Sequence, residues 1–212
     1  MEQNMNQLIE QHKASYTRLL PYSSKDRLPM ELGTIQETTA RLTALYQIEV
    51  ENRGISFIHD EFTVRSIERV AKWLHYSKQR GLLLYGSVGN GKTTMLRSIA
   101  RLFLGRSFLL NANTIYQYEK ENSLERSQSK LLLIDDLGTE PERCLIFGEE
   151  HHPMTDIIQE RYSDNLTTVI ATNLTLENIK VRYGARVHDR MIEMYAGIYY
   201  DGDSYRSKID YI

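Results

Sequence analysis

The sequence predicts an α/β fold in which helices cover both faces of a parallel sheet of five strands. Short, continuously apolar segments, which are typical of strands buried on both faces, alternate along the chain with segments of helical periodicity. A glycine-rich turn joins the first of these strands to the next helix, and a later strand ends in two adjacent aspartates. With 212 residues, the chain is long enough to bury the core that such a sheet needs.

The part of the chain before the first strand is predicted to be helical. Residues 3–20 form a weakly patterned helix, and the sequence LPYSSKDRLPM that follows holds two of the chain's four prolines, which is typical of a linker. Residues 35–52 are predicted to form a second helix. The third helix lies within FTVRSIERVAKWLHYSKQRG, with Thr63 as its N-cap and Gly81 as its end.

Strands and helices alternate from residue 81 onwards. The predicted strands cover residues 81–86, 107–113, 130–136, 167–173 and 197–202. The predicted helices between them cover residues 91–104, 114–122, 154–164 and 175–195. The segment GEEHHPM is predicted to be a solvated loop rather than a zinc site, since adjacent histidines rarely converge on one ion.

The segment GSVGNGKTT has the sequence of a phosphate-binding loop, G-x-x-x-x-G-K-T. Its glycines allow positive φ angles that turn backbone N–H groups towards a phosphate, and the next helix points its positive end at the same anion. Lys92 can reach the β- and γ-phosphates of ATP, and Thr93 can hold Mg²⁺. A plain glycine turn is the alternative, but the strand before and helix after favour the loop. The predicted ATP-binding residues are Gly86, Ser87, Val88, Gly89, Asn90, Gly91, Lys92, Thr93 and Thr94.

The segment LLLIDDLG predicts a second part of the same site. A buried parallel strand delivers its last residues to the edge of the sheet where ligands bind in open α/β folds. Asp135 is expected to contact Mg²⁺, and Asp136 to orient or deprotonate the attacking water as a catalytic residue. An Asp-Asp turn is the simpler alternative. Many ATPases have glutamate at the second position, and aspartate is one methylene shorter, so we expect slow hydrolysis of ATP to ADP and phosphate.

Asn173 and two arginines complete the set of candidate catalytic residues. Asn173 ends the strand TTVIATN, where its amide could bind the γ-phosphate or the water. Arg186 and Arg190 are four residues apart and share one helix face. Surface ion pairing is the simpler explanation for both arginines. ATPases without another catalytic cation, however, often take an arginine from a neighbouring subunit.

The composition and net charge limit the cellular compartment and the kinds of binding partner that we expect for this protein. A net charge of −2 argues against a strongly basic nucleic-acid-binding protein, although not against a local basic groove. Cys144 is the only cysteine, which excludes an internal disulfide and favours a reducing compartment. No apolar run approaches the roughly 20 residues that span a bilayer, and the N-terminus lacks the apolar core of a signal peptide. We therefore expect a cytoplasmic protein that does not bind membranes.

These motifs occur in the order seen in AAA+ ATPases, and the chain more closely resembles the DnaC/IstB-type family of helicase loaders and transposition ATPases. The resemblance covers about residues 55–208 and depends on YGSVGNGKTTM, LLLIDDLG, TVIATNL, YGARVHDRM and DSYRSK. It implies Walker A roles for Lys92 and Thr93, Walker B roles for Asp135 and Asp136, sensor 1 for Asn173, and the arginine finger for Arg190, with Arg186 beside it.

The resemblance also implies a function and a division into two parts. Residues 1–55 would form an N-terminal helical segment that binds a partner, and residues 56–212 an AAA+ ATPase domain. Only 22 residues follow Arg190, too few for the full helical lid of many AAA+ proteins. We expect an ATP-driven switch that loads a replicative DNA helicase onto single-stranded DNA. An IstB-like ATPase that regulates a DNA transposase is the alternative.

An ATP-driven switch that loads a helicase is also expected to associate with itself and to bind DNA. ATP and Arg190 would join neighbouring subunits, so that hydrolysis depends on assembly. Tyr116 and Tyr118 could stack on the bases of single-stranded DNA, in a weak, ATP-assisted contact, although half-buried packing explains most tyrosines. Two other classes share the phosphate loop: small-molecule kinases, whose arginine-rich lid we do not find in the sequence, and modules that bind ATP without cleaving it.

Overall fold

The computed structural model describes residues 32–120, 129–146, 148–202 and 204–205. The predicted helix over residues 3–20 and the proline-containing linker after it lie outside the described residues. Most of the tail segment DSYRSK also lies outside them.

The predicted five-stranded parallel sheet is confirmed. The strands are β1 (Gly81–Gly86), β2 (Phe108–Asn111), β3 (Leu131–Leu137), β4 (Cys144–Ile146), β5 (Glu149–His151), β6 (Thr167–Thr172) and β7 (Tyr195–Tyr200). In spatial order the sheet is β2-β3-β6-β1-β7, and each neighbouring pair is parallel. A separate antiparallel hairpin consists of β4 and β5.

Helices cover both faces of this sheet. They are α1 (Ile35–Glu51), α2 (Glu61–Tyr76), α3 (Lys92–Leu102), α4 (Ala112–Lys120), α5 (Pro153–Ser163), α6 (Leu176–Tyr183) and α7 (Ala185–Met194). Among the residues that the structure describes, no helix combines the length and apolarity needed to cross a membrane.

The boundaries of α2 differ from the prediction. Thr63 is not the N-cap, because Asp60 has the extended backbone of a cap and its carboxylate accepts the backbone N–H of Thr63 at 2.7 Å. The helix ends at Tyr76 rather than at Gly81, which is the first residue of β1. Asp and Thr are both good cap residues, so composition could not distinguish these two positions.

Two further predictions needed correction. The helix predicted over residues 175–195 is interrupted at Gly184, where a φ of 85° separates α6 from α7. The segment 148–154, predicted as a loop, contributes β5 to the hairpin and Pro153 to the first turn of α5. Neither short feature carries a periodic pattern that a sequence could reveal.

The core forms one hydrophobic cluster on each face of the sheet. Alternate residues of β1 point to opposite faces, so Leu82 and Leu84 belong to one cluster and Leu83 to the other. The first cluster also contains Leu42 and Tyr46 from α1, packed with residues of α2 and α3. Helix α1 therefore packs within the same unit as the sheet, although the division at residue 55 assigned it to the N-terminal segment.

Candidate nucleotide-binding site

The loop between β1 and α3 has the shape of a phosphate cradle. Gly86, Gly89 and Gly91 have positive φ angles of 133°, 86° and 97°. A Cβ atom on Gly91 would collide with the Tyr46 hydroxyl, and one on Gly86 with the backbone carbonyl of Tyr200. Both positions therefore require glycine, because the loop packs closely against Tyr46 and Tyr200 with positive φ angles. Helix α3 begins at Lys92 and adds the positive end of its dipole.

The end of β7 supports this loop. The backbone N–H of Ser87 and the side-chain amide of Asn90 both donate to the carbonyl of Tyr200, at 3.2 and 2.6 Å. The backbone N–H of Tyr205 donates to the carbonyl of Gly89 at 3.0 Å. Asn90 is buried, so its side chain shapes the loop.

The Lys92 ammonium lies over the loop. It donates to the carbonyl oxygens of Gly86 and Ser87, at 3.0 and 2.5 Å, and to Oδ1 of Asn90 at 3.2 Å. These contacts hold a cation at the centre of the cradle. A phosphate bound there would meet both this charge and the inward backbone N–H groups.

Two oxygen ligands suitable for Mg²⁺ lie side by side at the start of α3. The Thr93 hydroxyl donates to Oδ1 of Asp135 at 3.1 Å, and the backbone N–H of Asp136 donates to the same oxygen at 3.1 Å. Burial and then the Asp136 carboxylate raise the pKa of Asp135, while the Thr93 hydrogen bond opposes this rise. A divalent cation would compensate the buried charge, so hydroxyl and carboxylate fit a magnesium ion.

Asp136 lies where β3 departs from regular geometry. The pairing of β3 with β6 shifts register between Ile134 and Leu137, and Asp136 has a left-handed backbone with φ of 54°. Such a φ is uncommon for a residue other than glycine, although aspartate and asparagine tolerate it better than most. Asp136 lines the same cavity as Lys92, and Asn173, which follows β6, does so too.

A cavity of about 340 Å³ extends from the phosphate loop to the segment between α1 and α2. Its volume lies in the range of small-molecule sites. One side is lined by Val88, Gly89, Gly91, Lys92, Thr93, Thr94, Asp136, Ala171 and Asn173. The other side is lined by Tyr46, Val50, Arg53, Gly54, Ile55, Ser56, Phe57, Ile58, Thr63 and Tyr205. The second side is mostly apolar or aromatic, as a nucleoside site would be.

Three comparisons with known proteins bear on this arrangement. No protein-family model matches the chain. The chain is 25% identical over 224 residues to the replicative helicase loader DnaI of Bacillus subtilis (strain 168), covering 93% of this chain and 69% of the relative. A crystal structure of DnaI aligns with a TM-score of 0.52 and 21% identity, over 70% of this chain and 86% of that chain.

The replication initiator DnaA, solved with AMPPCP and single-stranded DNA, aligns with a TM-score of 0.52 and 21% identity. The alignment covers 73% of this chain and 50% of that longer chain. The chain has the AAA+ P-loop fold. The resemblance of this AAA+ chain to helicase loaders, which the motifs predicted, is confirmed.

Arg186 and Arg190 do not line the cavity of this AAA+ chain. Nη1 of Arg190 donates to Oε1 of Gln159 at 3.0 Å, and its guanidinium lies 4.9 Å from the centre of the Tyr162 ring. Arg186 is exposed. Both arginines lie on α7.

Sequence reasoning missed the second side of the cavity and one buried acid near the site. Arg53 lies in a segment without a periodic pattern, so nothing in the sequence marked it. Tyr205 belongs to the segment DSYRSK, which the resemblance included without giving this tyrosine a role. Glu140 is 3% exposed, accepts the backbone N–H of Gly138 at 2.8 Å and bonds the Tyr183 hydroxyl. It ties the loop after Asp136 to α6. The only feature of the sequence that could have indicated Glu140 is its position shortly after the paired aspartates.

Proposed function

We propose that this protein is an ATP-binding, slowly hydrolysing AAA+ switch that loads a replicative DNA helicase onto single-stranded DNA. The observation that carries the proposal is the single cavity lined by Lys92, Thr93, Asp136 and Asn173, residues from three neighbouring strands and the loops after them. The similarity to the helicase loader DnaI over 93% of the chain supports the loading role.

ATP binding would use the phosphate loop from Gly86 to Thr94. The backbone N–H groups and Lys92 would hold the phosphates, and Thr93 and Asp135 would hold Mg²⁺. When bound, Mg²⁺ neutralises negative charge on the β- and γ-phosphates. The similarity of the fold to that of DnaA bound to AMPPCP, an ATP analogue, supports this part of the proposal.

Hydrolysis would depend on Asp136 and Asn173. Asp136 would orient the attacking water and accept its proton, and Asn173 would hydrogen-bond the γ-phosphate or that water. The carboxylate of Asp136 is one methylene closer to the backbone than a glutamate carboxylate would be. We therefore propose slow turnover, which suits a protein whose ATP-bound state must last while a partner is engaged.

Assembly would complete the catalytic site. In this proposal Arg190 of one subunit reaches the nucleotide of its neighbour, with the exposed Arg186 on the same helix as the alternative donor. Gln159 and Tyr162 hold the half-buried Arg190 by a hydrogen bond and a cation–π contact, which the arginine would exchange for a phosphate in the assembly.

The partner-binding segment would lie before the packed unit. Helix α1 is part of the core, so we propose that residues 1–31 contact the helicase and that the ATPase unit begins near residue 32. Single-stranded DNA would be a weak, ATP-assisted partner, and Tyr116 and Tyr118 on α4 are half-buried candidates for stacking. The DnaA relative solved with single-stranded DNA supports this proposal.

Native mass spectrometry with the replicative helicase of the same source tests the proposed partner. We expect a complex whose abundance changes between no nucleotide, ADP and a non-hydrolysable ATP analogue. The truncated protein that lacks residues 1–31 should form no complex with the helicase. Absence of a complex in every nucleotide condition, together with binding to a transposase, would favour the IstB-like alternative.

A further inference from the structure

Arg53 is held rigidly on the wall of the cavity, on the side that the sequence motifs do not cover. It follows Asn52, the C-cap of α1. Its Nε donates to the carbonyl of Glu49 at 2.9 Å, and its Nη2 donates to the Thr94 hydroxyl at 2.6 Å. The second contact links the guanidinium to α3, two residues after Lys92.

The charge of Arg53 has no carboxylate partner among the described residues. The nearby carboxylates of Glu49 and Glu51 contact Arg101 and Gln47 instead. Carbonyl and hydroxyl oxygens position a guanidinium but do not neutralise it. Arg53 and Lys92 are therefore the two cations among the described cavity-lining residues, and Arg53 is exposed enough for a ligand to reach it.

The position of Arg53 indicates which phosphate it would meet. Thr93, beside Asp135, marks the magnesium end of the site, which corresponds to the β- and γ-phosphates. Thr94 is one residue further along α3, and Arg53 approaches it from the segment that also supplies Ile55, Phe57 and Ile58 to the cavity. Arg53 therefore contacts α3 one residue beyond Thr93 and belongs to the same segment as the apolar residues that would surround a nucleoside.

We propose that Arg53 binds the α-phosphate of a nucleotide held in the same chain, and so contributes to the affinity for ATP and ADP alike. The inference rests on the proposed function of the cavity as an ATP site. The three remaining N–H groups of a pre-oriented guanidinium suit a phosphate, because arginine can form paired, charge-assisted hydrogen bonds with its oxygens.

The test compares Arg53→Gln with Arg41→Gln, which removes an exposed arginine from the same helical region. Dissociation constants for ATP and ADP are measured by displacement of a fluorescent nucleotide. Loss of a charge-assisted contact should weaken both ligands by the same factor, about tenfold or more. Arg53→Lys should recover part of this loss because it keeps the charge, and Arg41→Gln should match the wild type.

The outcomes separate this inference from the proposed function. Wild-type affinity for both nucleotides in Arg53→Gln would overturn the role of Arg53 while leaving the ATP site intact. A loss for ATP but not for ADP would overturn the assignment to the α-phosphate. If Arg53→Lys were as weak as Arg53→Gln and both had lowered Tm values without nucleotide, the contact would be structural only. No nucleotide binding by the wild type would overturn both proposals.

Discussion

At the scale of single residues, Asp136 combines a proposed catalytic role with a left-handed backbone. Its φ of 54° is a conformation that aspartate and asparagine adopt more readily than glutamate. The aspartate at this position, where many ATPases have glutamate, therefore matches the local bend of β3. The sequence indicated the residue and its role, but only the structure gives a backbone reason for its type.

Replacing Asp136 with asparagine tests the catalytic role while keeping a residue that tolerates this backbone. We expect turnover to fall about 100-fold or more, which is typical of losing a general base, with ATP affinity little changed. Phosphate release under saturating Mg·ATP measures the rate, and Asp164→Asn, which changes the exposed C-cap residue of α5, is the control. Unchanged turnover in Asp136→Asn would remove Asp136 from the mechanism.

Asp135 illustrates the cost of burying a carboxylate at a proposed metal site. Burial and the Asp136 carboxylate raise its pKa in the folded protein, so folding favours the protonated form and stability decreases as pH rises through the interval above the unfolded value of about 4. Asp135→Asn should therefore raise Tm near neutral pH in the absence of nucleotide and Mg²⁺. The gain should shrink as pH falls and vanish below about 4, where the wild-type carboxyl becomes protonated in the unfolded as well as the folded state.

The same variant should lose Mg²⁺-dependent enhancement of ATP binding. Thermal unfolding across pH, followed by titration with ATP with and without Mg²⁺, measures both effects. A Tm below that of the wild type at neutral pH would contradict the assigned origin of the raised pKa.

At the scale of elements, the continuous apolar strands were predictable and the ends of elements were less so. The three central strands β1, β3 and β6 were predictable because burial on both faces leaves an uninterrupted apolar run. The edge strands β2 and β7 are apolar as well, although both are partly exposed. The N-cap of α2 depended on which of two suitable side chains, Asp60 or Thr63, the chain geometry would select. The short hairpin of β4 and β5 and the break at Gly184 have no periodicity, so sequence patterns gave no signal for them.

Asp60 should contribute to stability through two contacts. Its Oδ1 accepts the backbone N–H of Thr63, and its Oδ2 accepts the Tyr205 hydroxyl at 2.7 Å. Burial and this carboxylate help to raise the pKa of Tyr205 to about 12, which keeps the hydroxyl protonated as a donor. Asp60→Ala should lower the free energy of unfolding by about 1–2 kcal/mol, the usual range for a lost N-cap.

Urea denaturation measures this change. Glu61→Ala is the control, because Glu61 is exposed in the first turn of the same helix and its ion pair with Arg65 is at the surface. We expect the control to stay within about 0.5 kcal/mol of the wild type. An equal loss of unfolding free energy in both variants would show that the stability depends on the first turn of α2 in general and not on the Asp60 cap.

At the scale of the whole molecule, α1 packs into the same core as the parallel sheet. Leu42 and Tyr46 are buried in the core, and Glu49 is buried in an ion pair with Arg101 on α3. The helix was predicted with nearly the observed boundaries, but its packing partners were not, because a helical stripe does not identify the surface it covers. For the same reason the sequence located the phosphate half of the cavity and missed the half formed by residues 46–58.

Two truncations distinguish the possible boundaries. A protein of residues 32–212 should fold cooperatively and bind ATP, since it keeps α1. A protein of residues 56–212 should lose cooperative thermal unfolding, because removing Leu42 and Tyr46 exposes the face of α2 and α3 that they cover. Circular dichroism melts of both proteins measure this difference. Cooperative unfolding at the same Tm in both would place the boundary after α1.

The central claim is that one cavity, bounded by the phosphate loop and the ends of three neighbouring strands, binds Mg·ATP. Isothermal titration of Mg·ATP into the wild type, Lys92→Ala and the exposed-lysine control Lys72→Ala tests it most directly. The account predicts a saturable heat of binding for the wild type and the control, and affinity reduced at least about tenfold in Lys92→Ala. No heat in the wild type, or equal affinity in Lys92→Ala, would contradict it.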